Sequence, residues 1–221
     1  MALTFCFDVS PADWITTSDL RWGRLVTFGP TGFEAYARLR FLPDPAHPGQ
    51  SEDQADRDED HDERVQLPVL YEVLAAHTRT PDDCYFCLWE GIGDLYAGDV
   101  RQSFDPRSGV WRTWPRATPA FSPSVLDGPK VVVPNRKYLL FQGPLSGAGD
   151  WGAADLWPGY ARGYLPAAFV WPADHAWCVA HDIDPHWAGI GADAEVVDRL
   201  VAEPRLDVVR ADPSDRQPSF D

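Results

Sequence analysis

Six consecutive residues, Cys84-Tyr85-Phe86-Cys87-Leu88-Trp89, carry no charge on either face of an extended chain. Side chains alternate sides along a strand, so this segment would bury both faces inside a covered sheet. An edge strand or a half-wet hairpin offers it no place. Whatever fold the chain adopts must therefore put cover above and below that strand. Ala176 to Ile183 has much the same character and predicts a second interior strand.

The rest of the pattern is consistent with that frame. Arg24 to Phe28 reads as a strand, Gly29-Pro30-Thr31-Gly32 as a turn, and the next segment as its hairpin partner. In that partner Phe33, Ala35, Ala37, Leu39 and Phe41 alternate with Glu34, Tyr36, Arg38 and Arg40, predicting one core face and one wet face. Leu67, Leu70, Tyr71, Leu74 and His77 share one helical face, with Pro68 suited to a first turn. Val131 to Val133 and Tyr138 to Phe141 flank Pro134-Asn135-Arg136 and predict a second hairpin. Asp193 precedes a helix whose stripe is Val196, Val197, Leu200 and Val201, and Leu206 to Val209 would close an edge. Residues 96–129 and 143–163 lack periodicity and read as irregular. The expectation is α+β, with a mostly antiparallel sheet built from hairpins and about two packed helices.

A chain of 221 residues favours one globular domain, here 1–211, with a flexible polar tail at 212–221. Between Pro43 and Arg64 nine acidic residues stand against two arginines, about half of the formal charge of −15. That stretch has no large apolar side chain and reads as a disordered acidic loop. Its Asp56, Asp58, Asp60, Asp62 alternation falls short of a calcium loop, because His61 and Leu67 occupy the positions that need Gly and Glu. The acidic balance disfavours nucleic acid and anionic membrane as partners and favours a basic protein. No run of eighteen apolar residues or secretory signal pattern occurs, so a soluble cytoplasmic protein is expected.

Chemistry is harder to find. Cys84 and Cys87 would point to opposite faces of their strand, which argues for reduced structural thiols rather than a metal or redox pair. His175, Cys178, His181, Asp182, Asp184 and His186 cluster at a strand end, again split between faces. No nucleophile elbow, phosphate loop or zinc-protease pattern is present. No metal and no cofactor are expected. By placement at strand ends, Glu90, Asp94, Asp182, Asp184 and His186 are the candidate binding residues, and no catalytic residue is assigned. Two tracts rhyme, Trp89-Glu90-Gly91-Ile92-Gly93 and Trp187-Ala188-Gly189-Ile190-Gly191, and read as glycine corners where a ring or backbone comes close.

Three segments carry a resemblance: Asp83-Cys84-Tyr85-Phe86-Cys87-Leu88-Trp89-Glu90-Gly91, Tyr138-Leu139-Leu140-Phe141-Gln142-Gly143-Pro144-Leu145 and Trp171-Pro172-Ala173-Asp174-His175-Ala176-Trp177-Cys178-Val179-Ala180. In that order they resemble a family of actinobacterial cytosolic proteins to which no activity is assigned, over most of residues 20–210. The late Trp-Pro-x-Asp segment and the terminal helix are more faintly similar to toxin-immunity proteins of the SMI1/KNR4-like type, which are acidic α+β binders. The resemblance carries over no catalytic residues. The acidic balance, the acidic loop, the abundant tryptophan and the lack of a catalytic signature favour a non-catalytic acidic protein-binding module of immunity or regulatory kind. The alternative from the residues is a small-molecule or metal-dependent hydrolase working at the Asp182/Asp184/His186 strand end.

Overall fold

The computed structural model describes residues 2–56, 61–92, 95–96, 101–105, 109–114, 116–182 and 184–221. Its centre is a nine-stranded antiparallel sheet. The strands are β1 (Thr4–Phe5), β2 (Ala35–Arg40), β3 (Cys84–Trp89), β6 (Val131–Val133), β7 (Arg136–Gly143), β8 (Ala167–Pro172), β9 (Trp177–Ala180), β10 (Trp187–Ala192) and β11 (Val208–Ala211). They run in the order β1-β7-β3-β8-β9-β10-β2-β11, and β6 also pairs with β7. A separate ribbon pairs β4 (Arg101–Asp105) with β5 (Val110–Trp114).

Helices cover both faces of the large sheet. On one face lie α3 (Glu63–Ala75) and α5 (Ala194–Val201), burying Leu67, Leu70, Leu74, Val196, Val197 and Leu200 against Phe86, Leu88, Val179 and Ile190. Each fully buried leucine or valine contributes about 1.5–3 kcal/mol. On the other lie α1 (Asp13–Thr16) and α2 (Trp22–Phe28), packing Ile15, Leu25 and Val26 near Cys87, Phe169, Trp171 and Cys178. A further short helix, α4 (Pro123–Leu126), buries Leu126. The two covers explain why β3 needs no polar face. Cys84 packs in one layer and Cys87 in the other, and all four cysteines are free.

The α3 layer is tied down by polar groups as well as by leucines. Gln66 is fully buried; its side-chain amide donates to the carbonyls of Arg40 and His61, and its oxygen accepts from the Asp207 amide. The Trp177 indole N–H donates to the Leu74 carbonyl at the far end of the same helix. Leaving any of these groups unpaired would cost about 1–3 kcal/mol.

Several expectations need correction. Arg24 to Phe28 is helical, not a strand, and Gly29 ends that helix at φ +79°, so Gly-Pro here is a helix stop. The first forty residues thus form no hairpin; β2 pairs with β10 and β11 instead. Its second face is not wet, because Arg38 is buried there. Pro68 lies inside α3, five residues past its start at Glu63, because Asp62 caps the helix earlier, its carboxylate accepting from the Arg64 amide. Trp187–Ala192, read as a corner, is a wholly buried strand. Residues 96–129, expected to be irregular, contain β4 and β5, and β8 was not anticipated. Within the acidic stretch Glu52–Gln54 forms a 3-10 turn, while 57–60 fall outside the described residues. The tail folds back: the Asp221 amide donates to the Gln50 carbonyl, and the Phe220 ring meets the His186 ring at 4.7 Å.

Candidate functional site

The chain between β9 and β10 carries His181, Asp182, Asp184 and His186, and the strand alternation decides where the first two go. Ladder pairing continues past both strand ends: the His181 amide donates to the Ala168 carbonyl, and the Phe41 amide donates to the His186 carbonyl. Trp177, Val179 and His181 therefore face the α3 layer, while Asp182 faces the α2 layer.

On the α2 side Asp182 meets Arg136. The guanidinium donates through Nε and Nη2 to the two carboxylate oxygens at 3.3 Å each, and Nη2 also reaches Asp184 at 3.5 Å. The same guanidinium lies over the rings of Trp22 and Trp89, at 5.1 and 4.9 Å from their centroids. A planar cation held by two rings and a carboxylate is a structural clamp. It occupies the donor positions that a metal would need from Asp182.

The remaining candidates are dispersed. His186 Nε2 is 3.2 Å from Asp44, whose carboxylate also accepts two hydrogen bonds from the buried Arg38 guanidinium. Burial raises the Asp44 pKa, but Arg38, His186 and Arg40 outweigh it and bring the group down to about 2. Burial pushes the His186 pKa down, against the opposing pull of Asp44. Glu90 accepts a hydrogen bond from the Tyr96 hydroxyl at 2.7 Å and lies 3.9 Å from the Lys130 ammonium, lining a different cavity from His186. Asp94 lies outside the described residues. Among the described candidates, Arg136 brings Asp182 and Asp184 together, and Asp184 and His186 line the same cavities.

On the α3 side a different pair emerges. The Asp62 cap starts α3 so that Glu63, its first residue, stands 3.9 Å from His181 Nε2. The Arg64 guanidinium lies 5.4 Å from the Tyr164 ring centroid. Burial raises the Glu63 pKa against the opposing influence of the Tyr164 hydroxyl. Burial also drops the His181 pKa to about 4, so the imidazole is neutral at pH 7. Two buried atoms here have no hydrogen-bond partner among the described residues, Glu63 Oε1 and His181 Nδ1. Both residues line a cavity of about 290 Å³ with Phe41, Pro166, Asp184 and Pro185. It adjoins a second one, of about 320 Å³, bounded by Phe220 and Asp221, and the two share Glu52, Asp184, Pro185 and His186. A larger apolar groove of about 390 Å³ runs along α3, walled by Leu67, Tyr71, Leu145 and Leu165, with Tyr164 at its border.

Sequence reasoning missed Glu63, which it counted into the disordered acidic loop, and left His181 unassigned. The signal was present: Asp62-Glu63 precedes the helical stripe by a cap and one turn, and His181 lies on the Trp177/Val179 face. Among the described residues no group of three or more His, Cys, Asp or Glu side chains is arranged to hold a metal ion. No described helix is long and apolar enough to cross a membrane. In comparisons with protein-family models, curated proteins and solved structures, nothing matches this chain.

Proposed function

We propose that this protein is a non-catalytic binding module, of immunity or regulatory kind, that receives a basic protein partner on the strand-end face between β9 and β10. The observation that carries the reading is the make-up of that face. Asp62, Glu63, Asp184 and Asp221 surround an apolar floor of Phe41, Pro166 and Pro185, and Asp184 is 73% exposed. The acids there do not converge on a reacting centre, and the one closely paired with a cation, Asp182, is held by Arg136. Such a field steers a cationic surface toward the face and gives an association rate that falls with salt.

The test is titration of the full chain with an arginine- and lysine-rich peptide and with an acidic peptide. Binding of the basic peptide alone is expected, weakened about tenfold by Asp62→Asn combined with Asp184→Asn and reduced by salt. Equal affinity in that double variant, or no binding of the basic peptide, would refute the reading.

One observation favours a second reading, a small-molecule hydrolase at the same strand end. Glu63 and His181 have pKa values pushed in opposite senses and stand side by side in a cavity, the arrangement of a general acid beside a general base. Turnover of a small ester or phosphoester that disappears in Glu63→Gln, with the melting temperature kept, would put this reading first.

A further inference from the structure

We infer that the cavity around Glu63 and His181 is a socket for one arginine side chain of the basic partner. The inference rests on the binding-module reading and names the group that the face recognises. Glu63 Oε1 and His181 Nδ1 are both buried and both lack a partner among the described residues, and His181 is itself only 8% exposed. Buried acceptors left in that state cost free energy that an incoming donor recovers.

The donor that fits is a planar cation. Glu63 Oε1 carries no hydrogen bond among the described residues, and a neutral imidazole offers one nitrogen as acceptor. A guanidinium presents several N–H groups in a fixed fork and remains charged when desolvated, whereas an ammonium is a compact, strongly hydrated point charge. The walls suit the rest of the side chain. Phe41 packs on the His181 ring at 5.0 Å, and Pro166 and Pro185 supply apolar surface for the aliphatic stem. Asp62 and Asp184 add negative charge at the rim. At about 290 Å³ the cavity suits a single side chain rather than a larger ligand.

The experiment follows the His181 ring resonances by NMR in the full chain during titration with N-acetyl-arginine amide, N-acetyl-lysine amide and N-acetyl-citrulline amide. The arginine compound is expected to shift the His181 ring and to bind about tenfold more tightly than either of the others. Glu63→Gln should remove most of that preference. Tyr164→Phe, which leaves the Glu63 carboxylate in place, should keep it, so the inference stays testable if Glu63→Gln folds poorly. Equal binding of the arginine and lysine amides, an unmoved His181 ring, or an arginine preference intact in Glu63→Gln would each overturn it. Arginine-rich and lysine-rich peptides separate the two levels of the proposal. If both bind and perturb Asp62 and Asp184 but not His181, the socket fails while the binding face stands. If neither binds, both fail.

Discussion

Trp89-Glu90-Gly91-Ile92-Gly93 and Trp187-Ala188-Gly189-Ile190-Gly191 share a pattern and part of their surroundings, but their glycines answer different needs. In each tract the tryptophan leans across a strand pair onto an arginine two residues from its ladder partner. Trp89 pairs with Tyr138 and covers Arg136; Trp187 pairs with Arg40 and covers Arg38, at 5.4 Å from ring centroid to guanidinium carbon. Each arginine in turn grips an aspartate, Asp182 or Asp44. The glycine two places on differs. A Cβ at Gly91 would lie 2.1 Å from the Trp89 ring itself, so the glycine makes room for its own tryptophan. A Cβ at Gly189 would lie 2.0 Å from the Thr27 carbonyl oxygen and 3.0 Å from the Phe28 Cα, so that glycine lets a helix settle on the sheet. One pattern therefore serves a strand end in the first case and an interior strand under a helix in the second.

The largest effect should come where backbone is the obstacle. Gly189→Ala forces α2 away from β10, and overpacking of that kind should destabilise by about 3 kcal/mol or more, read from urea unfolding. Should it cost under about 1 kcal/mol, the helix is not seated on the glycine and the contrast between the tracts disappears. Next in size is the loss of an arginine's partner. Asp44→Asn leaves Arg38, with its side chain 7% exposed, short of its charge partner, and should cost about 2 kcal/mol at neutral pH. The sign follows from the lowered pKa. Between 3.8 and about 2 the unfolded chain protonates Asp44 before the folded chain does, so this stabilisation is complete above pH 3.8 and is lost as pH falls through about 2. The gap between wild type and Asp44→Asn should close over that window. A gap that persists there would show that shape rather than charge holds Arg38 under Trp187.

The sheet was legible because it depends on local alternation. The Cys84–Trp89 run, the Val131–Phe141 hairpin and the 35–40 alternation all settle into strands at those places. What failed was the assignment of cover and of pairing: β8 was missed, β10 was read as a corner, residues 96–129, which hold β4 and β5, were read as irregular, and β2 was given the wrong partner. Arg24 to Phe28 is short and apolar, and five residues fit a strand or a helical turn equally well until the second layer is known. The Arg38 face looked wet because nothing local announces that Asp44 and Trp187 will enclose it. The candidate site suffered from the same blindness to distance. Asp182 and Asp184 were visible as a strand-end pair, but Arg136, 46 residues away from Asp182, takes them up. Glu63 and His181 meet only because a helix cap and a strand end converge across 118 positions of chain.

A smaller effect tests the other half of the contrast. At Gly91 the obstacle is a ring at a strand end, and a ring can turn where a carbonyl cannot. Gly91→Ala should cost about 1 kcal/mol, mostly through a looser stack of Trp89 on Arg136. Its signature is a changed Trp89 fluorescence at nearly unchanged melting temperature. A penalty matching that of Gly189→Ala would mean the two glycines do the same job after all.

The smallest effect is expected at Asp184, and it bears on how complete the first arginine clamp is. Arg136 keeps Asp182 through two hydrogen bonds and keeps both tryptophan rings when Asp184 is removed. The contact to Asp184 is long, at 3.5 Å, and that side chain is 73% exposed. Screened pairs of this kind contribute little, so Asp184→Ala should change stability by no more than about 0.5 kcal/mol in thermal or urea unfolding. Arg38 offers the instructive contrast: among the described residues its Nε is buried without a partner and Asp44 is its one acidic partner. If Asp184→Ala cost as much as Asp44→Asn, the clamp at Arg136 would need both acids. Asp184 would then belong to the architecture, and the strand-end face would lose an exposed acid that a basic partner could meet.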